Sequence, residues 1–141
     1  MIPDNIDAPI WRYLSLEKLE SLLESNALYF TRADLLGDGH EGSYSEPTIK
    51  RRPVFYEGAT EHFIKKGLPD IHKMWRLCAY INCWHVNKGE SEAMWKLYAK
   101  DNKSITIYST ISLLKKSILD AQREFRLGFV NYIDYENDYM T

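Results

Sequence analysis

The sequence is poor in cysteine and has no long apolar run, and both absences narrow the class of protein. Cys78 and Cys83 are its only cysteines, too few for the disulfide framework on which small secreted domains depend. Its longest uncharged stretch, residues 77–86, is about half the length that a bilayer span requires. The first residues lack the basic and apolar regions of a signal peptide. We therefore expect reduced thiols, no membrane segment and a cytoplasmic location.

The sequence also lacks an excess of charge of either sign. Eighteen Lys and Arg stand against twenty Asp and Glu, for a net charge of -2, so no strong field draws the chain to nucleic acid or to anionic lipid. Nucleic acid is therefore not an implied partner. The short basic clusters are interpreted as solvated faces; they are residues 50–52, 65–66 and 115–116.

What the sequence does contain is 45% hydrophobic and 13% aromatic residues in a chain of 141. This length and composition predict one domain, residues 1–141, with a sizeable core. Four Trp and ten Tyr favour a ring-rich core or a stacking pocket. No internal repeat or linker is evident, so a repeat array is not expected.

Alternating strand and helix patterns predict an α/β (α+β) fold, with a mixed β-sheet of about five strands packed by four to five helices. The predicted strands cover residues 10–14, 27–32, 79–86, 104–108 and 127–135. The predicted helices cover residues 16–25, 60–67, 69–78, 90–100 and 110–125. Gly67 is expected to end its helix in a left-handed conformation. The glycine-containing stretch from Ala33 to Pro47 predicts a long loop.

The first candidate site is the charged loop after the second predicted strand. Arg32, Asp34, Asp38, His40 and Glu41 gather there, at the end of a strand where α/β sheets often bind ligands. Three carboxylates with a His could hold a divalent cation or position a substrate hydroxyl. The alternative is a solvated turn whose Asp side chains bond their own backbone. No glycine motif for a phosphate loop is present.

The second candidate pairs Cys83 with His85, which share one face if residues 79–86 form a strand. A thiol beside an imidazole could act as nucleophile and base. More often, such a Cys is simply buried and such a His is bonded to a backbone carbonyl. The spacing of Cys78, Cys83 and His85 does not match a structural zinc site, so no metal is predicted.

The helix predicted over residues 90–100 supplies the third candidate. Glu92, Trp95 and Tyr98 could line a pocket as an acid and two stacking rings. The simpler interpretation is that Met94, Trp95 and Tyr98 pack in the core while Glu92 pairs with Lys96 one turn later.

Arg12 is the fourth candidate, flanked by Trp11 and Tyr13 in the first predicted strand. Arg side chains in the middle of a strand are rare, and a buried one requires an anionic partner. The sequence leaves open whether that partner is internal or belongs to a ligand.

Several blocks carry a likeness to a known family: Trp11 to Lys18, Leu28 to Asp34, Asp38, Glu41 to Ser43, Asn82 to His85, Glu90 to Tyr98, and Ser104 to Thr110. In order and spacing these blocks resemble the domain of unknown function 2971 family. The resemblance implies a bacterial or phage protein of mobile-element or defence context with no settled reaction. Gly39 and His40 depart from the Pro and aromatic residue usual in the family after Asp38. Family chains continue beyond the point that corresponds to Thr141, so this chain resembles a short or truncated member.

The leading hypothesis is a pocket protein that binds a small molecule of nucleotide type, with polar side chains lining one cleft. The candidate catalytic residues are Glu41, His85 and Glu92. The candidate substrate-binding residues are Arg12, Tyr13, Arg32, Asp38, Trp95 and Tyr98. An analogy to the ADP-ribosyltransferase-like fold would cast Arg12 or Arg32, Tyr29 or Tyr98, and Glu92 in its substrate-binding roles, as a likeness of fold alone.

Two competing hypotheses use the same residues differently. In one, the protein is a non-catalytic interaction or regulatory module, and these side chains form a buried polar network that fixes the fold. In the other, Asp34, Asp38 and Glu41 hold a metal in a nuclease. The sequence identifies no cofactor and no oligomeric state, and it does not establish that the protein is an enzyme.

Overall fold

The computed structural model describes residues 7–37, 43–98, 103–119, 121 and 124–140. These residues divide into two compact units, Met1–Tyr29 with Cys83–Val130 (unit 1) and Phe30–Asn82 with Asn131–Thr141 (unit 2). The expectation of one domain over residues 1–141 stays a prediction. Three members of the first candidate site, Asp38, His40 and Glu41, lie outside the described residues.

The fold is mixed α/β, as the sequence predicted, with short strands and mostly short helices. The strands are β1 (Pro9–Ser15), β2 (Thr31–Arg32), β3 (Tyr80–Ile81), β4 (His85–Val86) and β5 (Ser104–Thr110). The α-helices are α1 (Leu16–Ser25), α2 (Glu46–Lys50), α3 (Arg52–Phe55), α4 (Leu68–Cys78), α5 (Glu92–Tyr98) and α6 (Ile111–Ile118). A 3-10 turn covers Ala33–Leu35, and a π-helical turn covers Phe63–Gly67.

Unit 1 is built on a three-stranded antiparallel sheet in the order β4-β1-β5. The central strand, β1, pairs Trp11 with His85 of β4 and with Tyr108 of β5. Because side chains alternate along a strand, Arg12 and Tyr13 point to opposite faces of this sheet. This alternation decides which candidate residues can meet.

The core of unit 1 lies on the Arg12 face of β1. Ile10 is 2% exposed and packs with Ile111 and Leu114 of α6. The half-buried side chains of Leu28 and Trp84 pack against this cluster. Thr110 begins α6 with a side-chain cap, its Oγ1 accepting from the Leu113 amide at 3.2 Å, which agrees with the predicted helix start.

Unit 2 contains the two-stranded antiparallel sheet of β2 and β3, which pairs Thr31 with Ile81 and Arg32 with Tyr80. Helices α2 to α4 belong to the same unit. Its carboxyl-terminal stretch is attached to α2 by two hydrogen bonds: the Glu46 amide donates to the Tyr135 carbonyl at 2.9 Å, and the Met140 amide donates to Thr48 Oγ1 at 2.9 Å.

The predicted single mixed sheet is replaced by two antiparallel sheets. Residues 79–86 were expected to form one buried strand, but they supply β3 to the sheet of unit 2 and β4 to the sheet of unit 1. Within unit 2 the strand predicted over 27–32 keeps only Thr31 and Arg32 in a ladder. No strand forms at the described residues among 127–135. None of residues 79–86 is buried, so the expectation of a buried strand is wrong as well. An apolar run by itself specifies neither burial nor a pairing partner.

Gly67 corrects the predicted break between two helices. Its φ is -60°, inside the helical region, so the π-helical turn runs directly into α4. A Cβ at this position would lie 2.8 Å from the Phe63 ring, so the glycine accommodates a close ring rather than a left-handed turn. Pro69 lies in the first turn of α4 as predicted, and Pro47 lies in the first turn of α2, which shortens the predicted loop.

Candidate functional site around Arg12

Arg12 lies on the core face of β1, between the buried side chains of Ile10 and Leu14. The Cζ atom of its guanidinium lies 5.8 Å from the centre of the Trp84 ring. Its Nη2 donates a long hydrogen bond, 3.4 Å, to the backbone carbonyl of Tyr29. Its Nη1 is buried and has no hydrogen-bond partner among the described residues. One terminal nitrogen of this half-buried side chain is therefore removed from water with its donor capacity unused.

The electrostatics of Arg12 follow from this burial. Loss of solvation lowers the pKa of the guanidinium, while the nearby Cys83 acts in the opposite direction. An arginine nevertheless stays charged in proteins. A buried guanidinium is strongly stabilised by a carboxylate or phosphate that accepts two parallel hydrogen bonds. None of the described salt bridges gives Arg12 a carboxylate partner.

Tyr13 and Trp95 meet on the opposite face of β1. Tyr13 is 7% exposed, and its phenol oxygen accepts a 2.7 Å hydrogen bond from the Ser91 amide. The two rings pack edge to face, with centroids 5.1 Å apart and planes at 84°. Trp95 Nε1 donates to Glu90 Oε2 at 2.8 Å. Tyr13 and Trp95 therefore hold α5 on the sheet. Because β1 separates both residues from Arg12, this arrangement does not fit the predicted single cleft shared by all three.

His85 lies beside an aromatic pair. It is directly opposite Trp11 in the ladder, so both side chains project from the Tyr13 face of the sheet. The Trp11 and Tyr108 rings are 4.9 Å apart and tilted by 59°. Trp11 Nε1 donates to the Asn87 carbonyl at 2.9 Å. Residues 82–84 are not in a strand, so the alternation that would have put Cys83 on the face of His85 does not apply.

Glu92 and Tyr98 lie at the outer surface of α5. Glu92 is 83% exposed and forms a 2.7 Å ion pair with Lys96, one turn later, as the simpler interpretation of the sequence predicted. Tyr98 is also exposed, so the same interpretation is wrong in placing Tyr98 in the core. Exposed pairs of this kind contribute little to stability. No described contact joins Glu92 or Tyr98 to Arg12.

Arg32 belongs to unit 2, where its charge is neutralised by Asp34. Its Nε and Nη2 donate to the two carboxylate oxygens at 2.6 and 3.1 Å. This bidentate pair raises the pKa of Arg32 and lowers the pKa of Asp34. The other members of the predicted acidic loop, Asp38 and Glu41, lie outside the described residues. Among the residues that are described, no group of three or more His, Cys, Asp and Glu side chains is placed to hold a metal ion.

Sequence reasoning missed a second arginine site, in unit 2. Arg52 was interpreted as part of a solvated basic cluster, but it is 8% exposed. Its Nη2 lies 3.2 Å from Nδ1 of His72, and Tyr44 stacks on the His72 ring. Nothing in the sequence distinguishes Arg52 from its neighbours Lys50 and Arg51, because its partner lies 20 residues away.

One cavity of the described part of unit 1 has a volume of about 210 Å³, below the usual range for ligand sites. Its lining residues are Ser15, Leu16, Glu17, Glu20 and Lys103, none of which was predicted to bind substrate. Within the described ranges, no helix is both long and apolar enough to cross a bilayer. Comparison with family models, with curated proteins and with solved structures finds no match to the chain.

Proposed function

We propose that the protein binds a small anionic ligand of nucleotide type and that Arg12 is the residue that anchors it. The observation that carries the proposal is the buried Nη1 of Arg12, which has no hydrogen-bond partner among the described residues. Leaving a buried charge with unused donors costs free energy. An anionic group of a ligand would offset that cost by accepting the hydrogen bond that is missing.

A phosphate suits this position better than a neutral acceptor. The planar guanidinium donates two parallel hydrogen bonds to phosphate or carboxylate oxygens. The bond from Nη2 to Tyr29 is long, 3.4 Å, so this nitrogen also has donor capacity for an incoming oxygen. The Trp84 ring lies 5.8 Å from the Arg12 Cζ atom, and an aromatic surface beside an anion site favours a ligand that carries a base, because bases stack on aromatic rings.

The family resemblance is part of the proposal. Three of the blocks that resemble the domain of unknown function 2971 family come together in unit 1, although they are distant in sequence. The block that begins at Trp11 forms β1, His85 begins β4 beside it, and α5 packs on β1 through Tyr13 and Trp95. We propose on this basis that the chain is a bacterial or phage member of the family and that β1 lies at the centre of its binding region.

The proposal covers binding and assigns no catalytic step. Glu92 is exposed and paired with Lys96, and His85 projects from the face of the sheet opposite to Arg12. Neither side chain is placed by a described contact to act on a group held at Arg12. The proposal is therefore limited to binding at Arg12, and Glu41, the third candidate catalytic residue, lies outside the described residues.

Isothermal titration calorimetry tests the proposal with ADP, NAD and pyrophosphate as anionic probes and adenosine as the uncharged control. We expect at least one anionic probe to bind and adenosine to bind more weakly. Arg12→Met, which keeps an unbranched side chain beside Trp84, should weaken binding by at least about tenfold, since a hydrogen bond to a charged group contributes about 1.5–3 kcal/mol. Arg126→Met is the matched control, because Arg126 is 90% exposed, and it should leave the affinity unchanged.

Two results would overturn the proposal. One is that no anionic probe binds or raises the melting temperature, although a ligand at a hundred times its dissociation constant adds about 2.7 kcal/mol of stability. The other is that Arg12→Met binds the probes as tightly as the unmodified protein. Either result would favour the competing interpretation, in which Arg12 only helps to fix the fold.

A further inference from the structure

Three side chains of unit 2 form a compact cluster that the proposed function does not use. Arg52 of α3 is 8% exposed, and its Nη2 lies 3.2 Å from Nδ1 of His72 on α4. The Tyr44 ring stacks on the His72 ring, with centroids 4.2 Å apart and planes at 28°. The Arg52 Cζ atom lies 5.5 Å from the centre of the Tyr44 ring. We call Tyr44, Arg52 and His72 the Arg52 cluster.

The hydrogen bond in this cluster fixes the protonation state of His72. A guanidinium has donors only, so Nδ1 of His72 must accept and the imidazole must be neutral. The pKa of His72 is accordingly lowered, first by burial and then by the charge of Arg52. The buried guanidinium therefore has a neutral acceptor and a ring as its described partners, and no described salt bridge joins it to a carboxylate.

Further positive charge lies along the same side of α4. Arg76 follows His72 by one helical turn, so the two side chains share a face. Nε of Arg76 is buried without a hydrogen-bond partner among the described residues. Asp34 is close enough for the charge of Arg76 to lower its pKa, but both of its oxygens already accept from Arg32. Positive charge therefore exceeds negative charge among these described groups.

We propose that the Arg52 cluster binds a small tetrahedral oxyanion of the phosphate type and that His72 takes up a proton when the anion binds. Because Nδ1 of His72 accepts from Arg52, the proton is added at Nδ1 and breaks that hydrogen bond. The anion would then accept from Nη2 of Arg52 and from Nδ1–H of His72, while Tyr44 covers one side. This site belongs to unit 2 and is independent of the Arg12 site of unit 1.

The proton uptake follows from the groups that contact His72. Arg52 from α3 is a cation that also acts on the His72 ring through its charge, and Tyr44 supplies an uncharged ring. Without an anion these surroundings disfavour an imidazolium. A bound dianion reverses the sign of the local field and stabilises it. The proton comes from the solvent, so no other group of the protein has to lose one.

Sulfate is the first probe, because it is a tetrahedral dianion that does not itself change protonation near neutral pH. Calorimetric titrations at pH 7 in two buffers of different ionisation enthalpy measure both the affinity and the protons taken up. We expect proton uptake by the unmodified protein, and phosphate should compete for the same site. Arg52→Met should weaken sulfate binding by at least about tenfold. Its matched control is Arg51→Met, since the Arg51 Cζ atom lies 4.0 Å from the centre of the Tyr139 ring and Arg51 makes no described contact with His72.

His72→Asn separates the two parts of the proposal, because the Asn amide oxygen can replace Nδ1 as an acceptor but cannot be protonated. This variant should bind sulfate more weakly and without proton uptake. Sulfate binding that survives Arg52→Met unchanged would overturn the site. Binding whose enthalpy is the same in both buffers would overturn the role of His72.

A measurement on the unmodified protein tests the site without relying on variants that could fail to fold. The apparent pKa of the His72 ring, followed by nuclear magnetic resonance, should rise when sulfate is added, and the exposed His62 ring serves as the internal reference. An unchanged His72 titration would contradict the proposal. Arg12→Met should retain sulfate uptake at the Arg52 cluster, so failure of this site and failure of the Arg12 site give different results.

Discussion

Tyr13 and Ser91 are 78 residues apart in the sequence, and the phenol oxygen of Tyr13 accepts a 2.7 Å hydrogen bond from the Ser91 amide. The bond attaches the residue just before α5 to the middle of β1. Ser91 also supports the helix start, since its Oγ accepts from the Met94 amide at 3.4 Å. Edge-to-face packing of Tyr13 on Trp95 adds a second attachment. A residue predicted to bind substrate is thus placed to hold a helix on the sheet.

Tyr13→Phe should destabilise the protein by about 1–2 kcal/mol, because the Ser91 amide loses its partner in a partly buried place. The Phe ring keeps its packing on Trp95, so the effect reports the hydrogen bond. The measurement is the free energy of unfolding from urea denaturation. Tyr132→Phe is the control, since Tyr132 is 96% exposed, and should stay within about 0.5 kcal/mol. Equal effects of the two changes would show that the Tyr13 bond contributes nothing.

The element boundaries that the sequence predicted well are those with a local signal. The strand at β1 is followed by a helix that starts after Ser15 and ends at Asn26, whose φ of 48° is left-handed. Asn tolerates that conformation better than most residues. Likewise Thr110 caps the start of α6 through its own side chain. Such signals lie within a few residues of the boundary, so they are readable without knowledge of the fold. The other end of this helix was predicted wrongly, at residue 125, since α6 ends at Ile118.

The errors arise where a partner distant in sequence decides the structure. Tyr80 pairs with β2 and His85 pairs with β1, so one apolar run is divided between two sheets. The same holds for the sites. A rare central arginine identified Arg12, but the burial of Arg52 depends on His72, and no local pattern indicates it.

Ile111→Ala tests the position of the core in unit 1. Ile111 is 2% exposed and packs on Ile10, so its truncation leaves a cavity and should cost about 2–5 kcal/mol. Leu119→Ala is the control. Leu119 is 75% exposed, so its truncation removes little buried surface. Urea denaturation of both variants measures the difference. A loss at Leu119 as large as the loss at Ile111 would contradict the assigned core.

Asp7→Asn should make the free energy of unfolding less dependent on pH in the acidic range. Asp7 Oδ1 accepts from the Ser112 amide at 3.0 Å in the first turn of α6, and this backbone hydrogen bond is the main cause that lowers the pKa of Asp7. A carboxylate whose pKa is lower in the folded state contributes stability above its unfolded pKa. That contribution is lost as the pH falls through the folded value.

The predicted outcome is therefore a difference that depends on pH. At pH 7 Asp7→Asn should be less stable than the unmodified protein. The difference should begin to shrink near pH 4, the ordinary pKa of an Asp, and should disappear as the pH falls below the lowered folded-state pKa of Asp7. Urea midpoints across this range measure the effect, with the exposed Asp70 changed to Asn as control. A difference that is constant with pH would assign the effect to packing and not to charge.

Arg12→Met should leave the stability of the ligand-free protein within about 1 kcal/mol of its original value, or raise it. The change removes a half-buried guanidinium with an unused Nη1, and the interactions it loses are the 3.4 Å bond to Tyr29 and the contact of the charge with the Trp84 ring. The unbranched side chain of Met can still cover Trp84. If Arg12 instead completed an essential polar network, Arg12→Met would leave a partner unsatisfied and lower the free energy of unfolding by more than about 2 kcal/mol. Urea denaturation without ligand distinguishes the two. A side chain that binds an external anion should be costly to the folded state while its site is empty, whereas one that only supports the fold should not.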